Sequence, residues 1–160
     1  MRTAIATTET PVLVFDWDRQ QVVREILPMR YLDALPDKVP LLDSHWIDSI
    51  DRIKGSAINW HISGRKLMAG IVIASVATQT DTAIQRGDID SVSIGYITDP
   101  AFTVEIPKGK TVKIDGIRYS NGYSDGIPLL IRTWWKVREL SLVAIGADAA
   151  AKILHTQTKE

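Results

Sequence analysis

Of the three histidines in the chain, His45 is the one placed to do chemistry. It follows the apolar Val39, Leu41 and Leu42 and the polar Asp43-Ser44, with Trp46, Asp48 and Asp51 close behind. An imidazole at the end of a buried strand is a natural general base, because its ordinary pKa lies near neutral pH. By spacing alone the stronger reading of the same residue is a hydrogen-bonded structural histidine. His61, in Asn59-Trp60-His61-Ile62-Ser63 beside a turn, reads as a solvent-facing strand residue, and His155 lies close to the chain end.

A serine nucleophile needs a base to take its proton and a third group to orient that base. Ser91 and Ser93 both occur in Asp90-Ser91-Val92-Ser93-Ile94-Gly95-Tyr96, and strand alternation points them to the same face, so periodicity does not separate them. Gly95 would let a substrate chain or another backbone come close. The segment is not the Gly-x-Ser-x-Gly elbow of α/β-hydrolases, because Ser91 stands two residues before Ser93. For the third group, Glu139 interrupts the apolar and aromatic run from Trp134 to Val143. A carboxylate in a buried strand must be paired or hydrogen-bonded. An ion pair with Arg138 or Lys136 is the simplest structural explanation. Alternation, however, turns Arg138 to the opposite face and leaves Glu139 open to another partner.

A metal-dependent hydrolase built on His45, His61 and nearby carboxylates is disfavoured, since no His-Glu-x-x-His or similar ligand spacing is present. Neither metal nor cofactor is expected. The chain has no cysteine, which removes disulfides, thiolate ligands and a cysteine nucleophile together and fits a reducing compartment.

The elements that must carry these residues are mostly strands. Val12 to Phe15 and Gln21 to Leu27 alternate as strands, Met29 to Leu35 is a helical turn or two, and Val39 to His45 is a short buried strand. Ile50 to Ile62 and Lys66 to Ala74 are two strands joined at Ser63-Gly64-Arg65. Thr78 to Arg86 is the central helix, with Asp81 early, Arg86 late and Gly87 as its C-terminal cap. Asp88 to Ile97, Thr103 to Ile106, Thr111 to Tyr119 and Leu129 to Ile145 return to strand patterns. Tyr119 to Pro128 is a loop, and Ala147 to His155 a terminal helix. The last is a candidate interface through Ala149, Ala150, Ile153 and Leu154, though a core-packing stripe is the stronger reading of it.

With 160 residues, 45% of them hydrophobic, the chain suits one core. Residues 1–10 read as a flexible N-terminal arm and 11–160 as a single domain. The fold class expected is α+β, mainly β: a single closed or nearly closed β-barrel of about seven strands with two or three packed helices. The 19 basic residues balance 19 acidic ones, which argues against a nucleic-acid partner. The N-terminus lacks an apolar signal segment, and the stretch Leu67 to Ala77 is too short to span a bilayer. A cytoplasmic protein with no membrane association is the expectation.

Taken in order, three segments resemble the HK97-type prohead serine proteases of tailed bacteriophages, a family similar in fold to the herpesvirus protease assemblin. They are Val39-Pro40-Leu41-Leu42-Asp43-Ser44-His45 with Ile50 to Gly55; Ile84 to Asp90 leading into Ser91-Val92-Ser93-Ile94-Gly95-Tyr96; and Glu139-Leu140-Ser141-Leu142-Val143 followed by Ala147 to Ile153. The resemblance spans about Val39 to Ile153. It implies Ser93 rather than Ser91 as nucleophile, His45 as base and Glu139 as the group that orients His45, where the herpesvirus relatives use a second histidine. Trp46 directly after His45, and Ile145-Gly146-Ala147-Asp148 in place of the common Pro-Ala-Asn, depart from the pattern. In assemblin, arginines in this region help form the oxyanion hole; here none follows Glu139. The implied substrates are the scaffold protein, the major capsid protein and the protease itself, cut inside the assembling prohead in the host cytoplasm. Dimerisation controls the herpesvirus enzymes, so a homodimer is among the implied partners. The rival reading is a non-catalytic capsid- or scaffold-associated structural domain that keeps the protease barrel.

Overall fold

The computed structural model describes residues 1–155; the last five positions of the domain expected over 11–160 lie outside them. The chain runs β1 (Arg2–Thr8), β2 (Val12–Asp16), β3 (Gln21–Ile26), β4 (Lys38–Asp43), β5 (Ile53–Ser63), β6 (Lys66–Ile73), α1 (Thr78–Arg86), β7 (Ser91–Thr98), β8 (Thr103–Ile106), β9 (Thr111–Ile114), β10 (Ile117–Ser120), β11 (Leu129–Arg132), β12 (Trp135–Val143) and β13 (Ile153–Leu154), with single 3-10 turns at Met29–Tyr31, Ile50–Arg52 and Pro100–Phe102. Seven strands form one sheet in the order β13-β1-β6-β5-β4-β12-β7, four form a second in the order β2-β3-β11-β8, and β9 and β10 make a separate hairpin.

This corrects the expected closed or nearly closed barrel with two or three packed helices. The large sheet is an open half-barrel, and among the described residues there is one α-helix. Two local reasons account for the difference. Residues 147–155, expected as a helix, hold a turn and then β13. The Asp148 carboxylate accepts from the Thr8 backbone N–H (2.8 Å) and hydroxyl (2.7 Å), and its other oxygen from the Ala150 N–H (3.0 Å). An aspartate that satisfies local and distant backbone donors in this way competes with helix formation. Second, Leu129 to Ile145 is not one strand. It breaks at Thr133-Trp134, with β11 in the small sheet and β12 in the large one, so the chain crosses between the two layers at this point.

Residues 1–10, expected as a loose arm, contain β1, which sits inside the large sheet between β13 and β6. Its Ala4 and Ala6 are fully buried. The region Thr111 to Tyr119, expected as one strand, is the β9–β10 hairpin turning at Asp115-Gly116. Other elements fall where the pattern puts them. The β5–β6 hairpin closes from Ser63 to Lys66. α1 ends at Gly87, whose φ of 82° is the left-handed cap conformation that glycine adopts without steric cost.

The main core includes Leu41, Leu67, Ile71, Ile84, Trp135 and Leu140, all fully buried. Each such side chain contributes about 1.5–3 kcal/mol relative to exposure. Trp135 satisfies its indole N–H on the Pro28 carbonyl at 2.8 Å, so the largest core residue is buried without an orphaned donor. Arg132, Glu25 and Asp16 form a buried ion cluster in the small sheet. No helix among the described residues is long and apolar enough to cross a membrane.

Candidate functional site

Strands β4, β12 and β7 lie side by side, and their pairing brings the three sequence-predicted residues into one cleft. In the antiparallel β12–β7 ladder, Ser93 faces Ser141 and Gly95 faces Glu139. Residues two apart on a strand share a face, and directly opposed residues have Cβ atoms about 4.5–5.5 Å apart. Ser93, Gly95, Glu139 and Ser141 therefore form a small square on one face. On the other side of β12, β4 runs parallel to it through Leu41–Leu140 and Asp43–Leu142, then ends. The next two residues turn back over the square and deliver His45.

That turn is unusual. Ser44 and His45 both have positive φ, 51° and 64°, a left-handed conformation that side-chain-bearing residues rarely adopt. It is held by three hydrogen bonds. The Ser44 N–H donates to Leu142 O (2.9 Å), the Trp46 N–H to Asp43 O (3.0 Å) and the His45 N–H to Ser141 Oγ (2.9 Å). Strained residues persist where the surroundings over-determine them, and they cluster at functional sites.

His45 Nδ1 is hydrogen-bonded to Glu139 Oε1. Glu139 Oε2 in turn accepts from the Ser141 hydroxyl at 2.7 Å. The Glu139 side chain is 10% exposed and that of His45 41%, so a buried carboxylate holds a half-open imidazole. With Nδ1 engaged, Nε2 is the nitrogen left to serve a substrate or the Ser93 hydroxyl. The ion pair considered for Glu139 with Arg138 or Lys136 does not form; its partner is His45.

The cleft has a volume of about 670 Å³, and Ser93, His45, Gly95, Glu139 and Arg138 line it beside an apolar wall from β2 that includes Val12, Val14 and Phe15. Arg138 reaches it because the ladder is irregular here. Val137 pairs with Tyr96 and Glu139 with the next residue, Gly95, so Arg138 is the extra residue of a bulge. A bulge re-aims side chains and breaks simple alternation. Strand alternation puts Arg138 and Glu139 on opposite faces, and β12 alone carries no signal of the bulge.

Behind the cleft, the Tyr96 hydroxyl bonds to Glu25 Oε1 on β3, tying the Ser93 strand to the small sheet. Glu25 Oε2 accepts from Arg132 Nε at 2.7 Å, and Asp16 Oδ2 from Arg132 Nη2 at 2.9 Å. Burial raises the Tyr96 phenol well above its ordinary range, and the neighbouring Glu25 charge adds to the rise. Asp16 moves the other way: burial pushes its carboxyl up, but the Arg19 backbone N–H and the Arg132 guanidinium outweigh this and hold it low.

Ser91 lies outside the cleft, bonded to Asp90 at 3.0 Å. His61 is exposed, with Nδ1 on the Asn59 carbonyl at 3.1 Å. His155 is exposed as well. No group of three or more His, Cys, Asp or Glu among the described residues is placed to hold a metal ion. Ser141, the residue that links His45 to Glu139, was not singled out from sequence. Its position two residues after Glu139 on the same strand is the signal that could have found it. Comparison with protein-family models, with curated proteins and with solved structures returns no match.

Proposed function

We propose that the chain is a serine endopeptidase that cleaves the scaffold protein, the major capsid protein and itself during phage prohead maturation, with Ser93 as nucleophile. The observation that carries the reading is the bond from His45 to a buried Glu139 in the same cleft as Ser93. A base oriented by a carboxylate beside a strand serine is the arrangement that acyl transfer requires.

In this reading His45 Nε2 takes the Ser93 proton as Oγ attacks a peptide carbonyl carbon. The resulting imidazolium, stabilised by Glu139 through Nδ1, then protonates the leaving amine as the C–N bond breaks. Water enters, gives a proton to His45, and hydrolyses the Ser93 ester; the proton returns to Oγ. The ordered resemblance of the Val39–His45, Ile84–Tyr96 and Glu139–Ile153 segments supports the capsid context, a reaction inside the prohead in the host cytoplasm.

Treatment with a serine-directed fluorophosphonate tests the nucleophile without a known substrate. The expected result is one covalent adduct, mapped by mass spectrometry to Ser93 and lost in His45→Ala. An adduct elsewhere, or none, counts against the assignment.

A further inference from the structure

Ser141 is completely buried, and its hydroxyl is used twice. It donates to Glu139 Oε2 at 2.7 Å and accepts from the His45 backbone N–H at 2.9 Å. We infer that Ser141 is the positioning residue of this site, a single hydroxyl that sets both the plane of the Glu139 carboxylate and the turn that carries the His45 imidazole. The inference rests on the protease reading for its kinetic consequence, though not for its geometry.

Without Ser141, each partner would keep a freedom that the site does not allow it. Glu139 has two oxygens, and His45 Nδ1 engages one of them. A carboxylate held at one oxygen can still rotate about its terminal torsion, which is a broad and shallow one. The Ser141 hydroxyl removes that freedom by engaging the other. On the His45 side, two successive left-handed residues bring the imidazole back over β12. Such a turn is retained only where its backbone groups find partners, and the N–H of the strained histidine finds Ser141. The same oxygen thus joins backbone and side-chain restraints on one base. Ser141 is also directly opposite Ser93, so any change at this position is felt at the nucleophile's strand.

Ser141→Ala removes the hydroxyl with almost no change of shape. Its expected effect is a fall in kcat of about 10- to 100-fold with KM little altered, as loss of a hydrogen bond to a charged group predicts. Ser141→Thr, which keeps the hydroxyl, should restore most of the rate, whereas a residue serving the fold alone would lower kcat only in step with stability.

The deciding measurement is independent of cleavage: the proton NMR resonance of His45 Nδ1–H, assigned through His45→Gln, in a Ser93→Ala background. With Ser141 intact it should be a downfield signal in slow exchange with water; Ser141→Ala should broaden it or speed its exchange at least severalfold. An unchanged resonance and exchange rate in Ser141→Ala would overturn the inference. If no cleavage is found with the parent chain, the protease reading fails, and the resonance comparison still decides the role of Ser141.

Discussion

Gly95 lies directly across the β7–β12 ladder from Glu139, and the Glu139 side chain fills the space that a methyl group at Gly95 would need. A Cβ built there would come within 2.7 Å of both Cγ and Cδ of Glu139 and closer still to Oε1. The glycine in the Ser-Ile-Gly-Tyr segment therefore serves the orienting carboxylate. Its role as an opening for a substrate chain, one reading of the sequence, is not needed to explain it.

Gly95→Ala is accordingly a test of the site's geometry. The methyl must push Glu139 off His45, since the carboxylate cannot move into the buried strand behind it. Cleavage should fall by roughly 100-fold or more, as misplacement by about 1 Å does elsewhere. The overpacking should cost about 1–3 kcal/mol of stability, read from urea unfolding. Parental activity in a folded Gly95→Ala protein would mean that Glu139 is not oriented as described.

Arg132→Met should be among the most destabilising single changes in the small sheet. It leaves Glu25 and Asp16, both buried, without their shared cation. Breaking a buried pair from one side costs about 3–5 kcal/mol. Because Tyr96 bonds to the same Glu25, the loss should also loosen the Ser93 strand, so activity should decline before global unfolding as urea is raised. A change under about 1 kcal/mol would contradict a structural role for the cluster.

The direction of two pKa displacements predicts the pH dependence of folding. Tyr96 is protonated when folded to higher pH than when unfolded, where a tyrosine titrates near about 10. The folded state then binds more protons than the unfolded one above that value, and stability falls as pH rises beyond it. Asp16 has a depressed folded pKa, so its contribution is present above the ordinary carboxylate range and lost as pH falls through the lower folded value. Tyr96→Phe should flatten the alkaline decline in urea midpoints while leaving the acid limb in place. An unaltered alkaline slope would place the phenol in a less buried setting.

Parts of this arrangement are legible in the sequence, for reasons that can be named. α1 was readable because its cap glycine and its terminal charges agree with its pattern. The β5–β6 hairpin was readable because branched and aromatic residues flank a glycine turn. His45 and Glu139 stand out because each is a polar group set in an apolar strand or at its end, whereas only the resemblance separates Ser93 from Ser91.

What was hidden depended on distant partners. β1 carries Thr and Ala where strands usually show large apolar groups, yet Ala4 and Ala6 are buried between β13 and β6. The stretch Ala147 to Ala151 has high helix propensity, but Asp148 is captured by Thr8, 140 residues away, and the helix does not form. An open half-barrel and a closed barrel share the same local strand pattern, and what separates them is pairing between strands distant in sequence. The bulge at Arg138 likewise belongs to the pairing with β7 and leaves no mark in β12 alone.

The central claim is that Ser93 opens a peptide bond with His45 as its base. Co-expression with a phage major capsid protein as the proposed substrate, wild type against Ser93→Ala, tests it most directly on a gel. A capsid protein shortened by the wild type and left intact by Ser93→Ala is the predicted result. Equal shortening in both lanes, or none with the wild type in demonstrably assembled proheads, would contradict it.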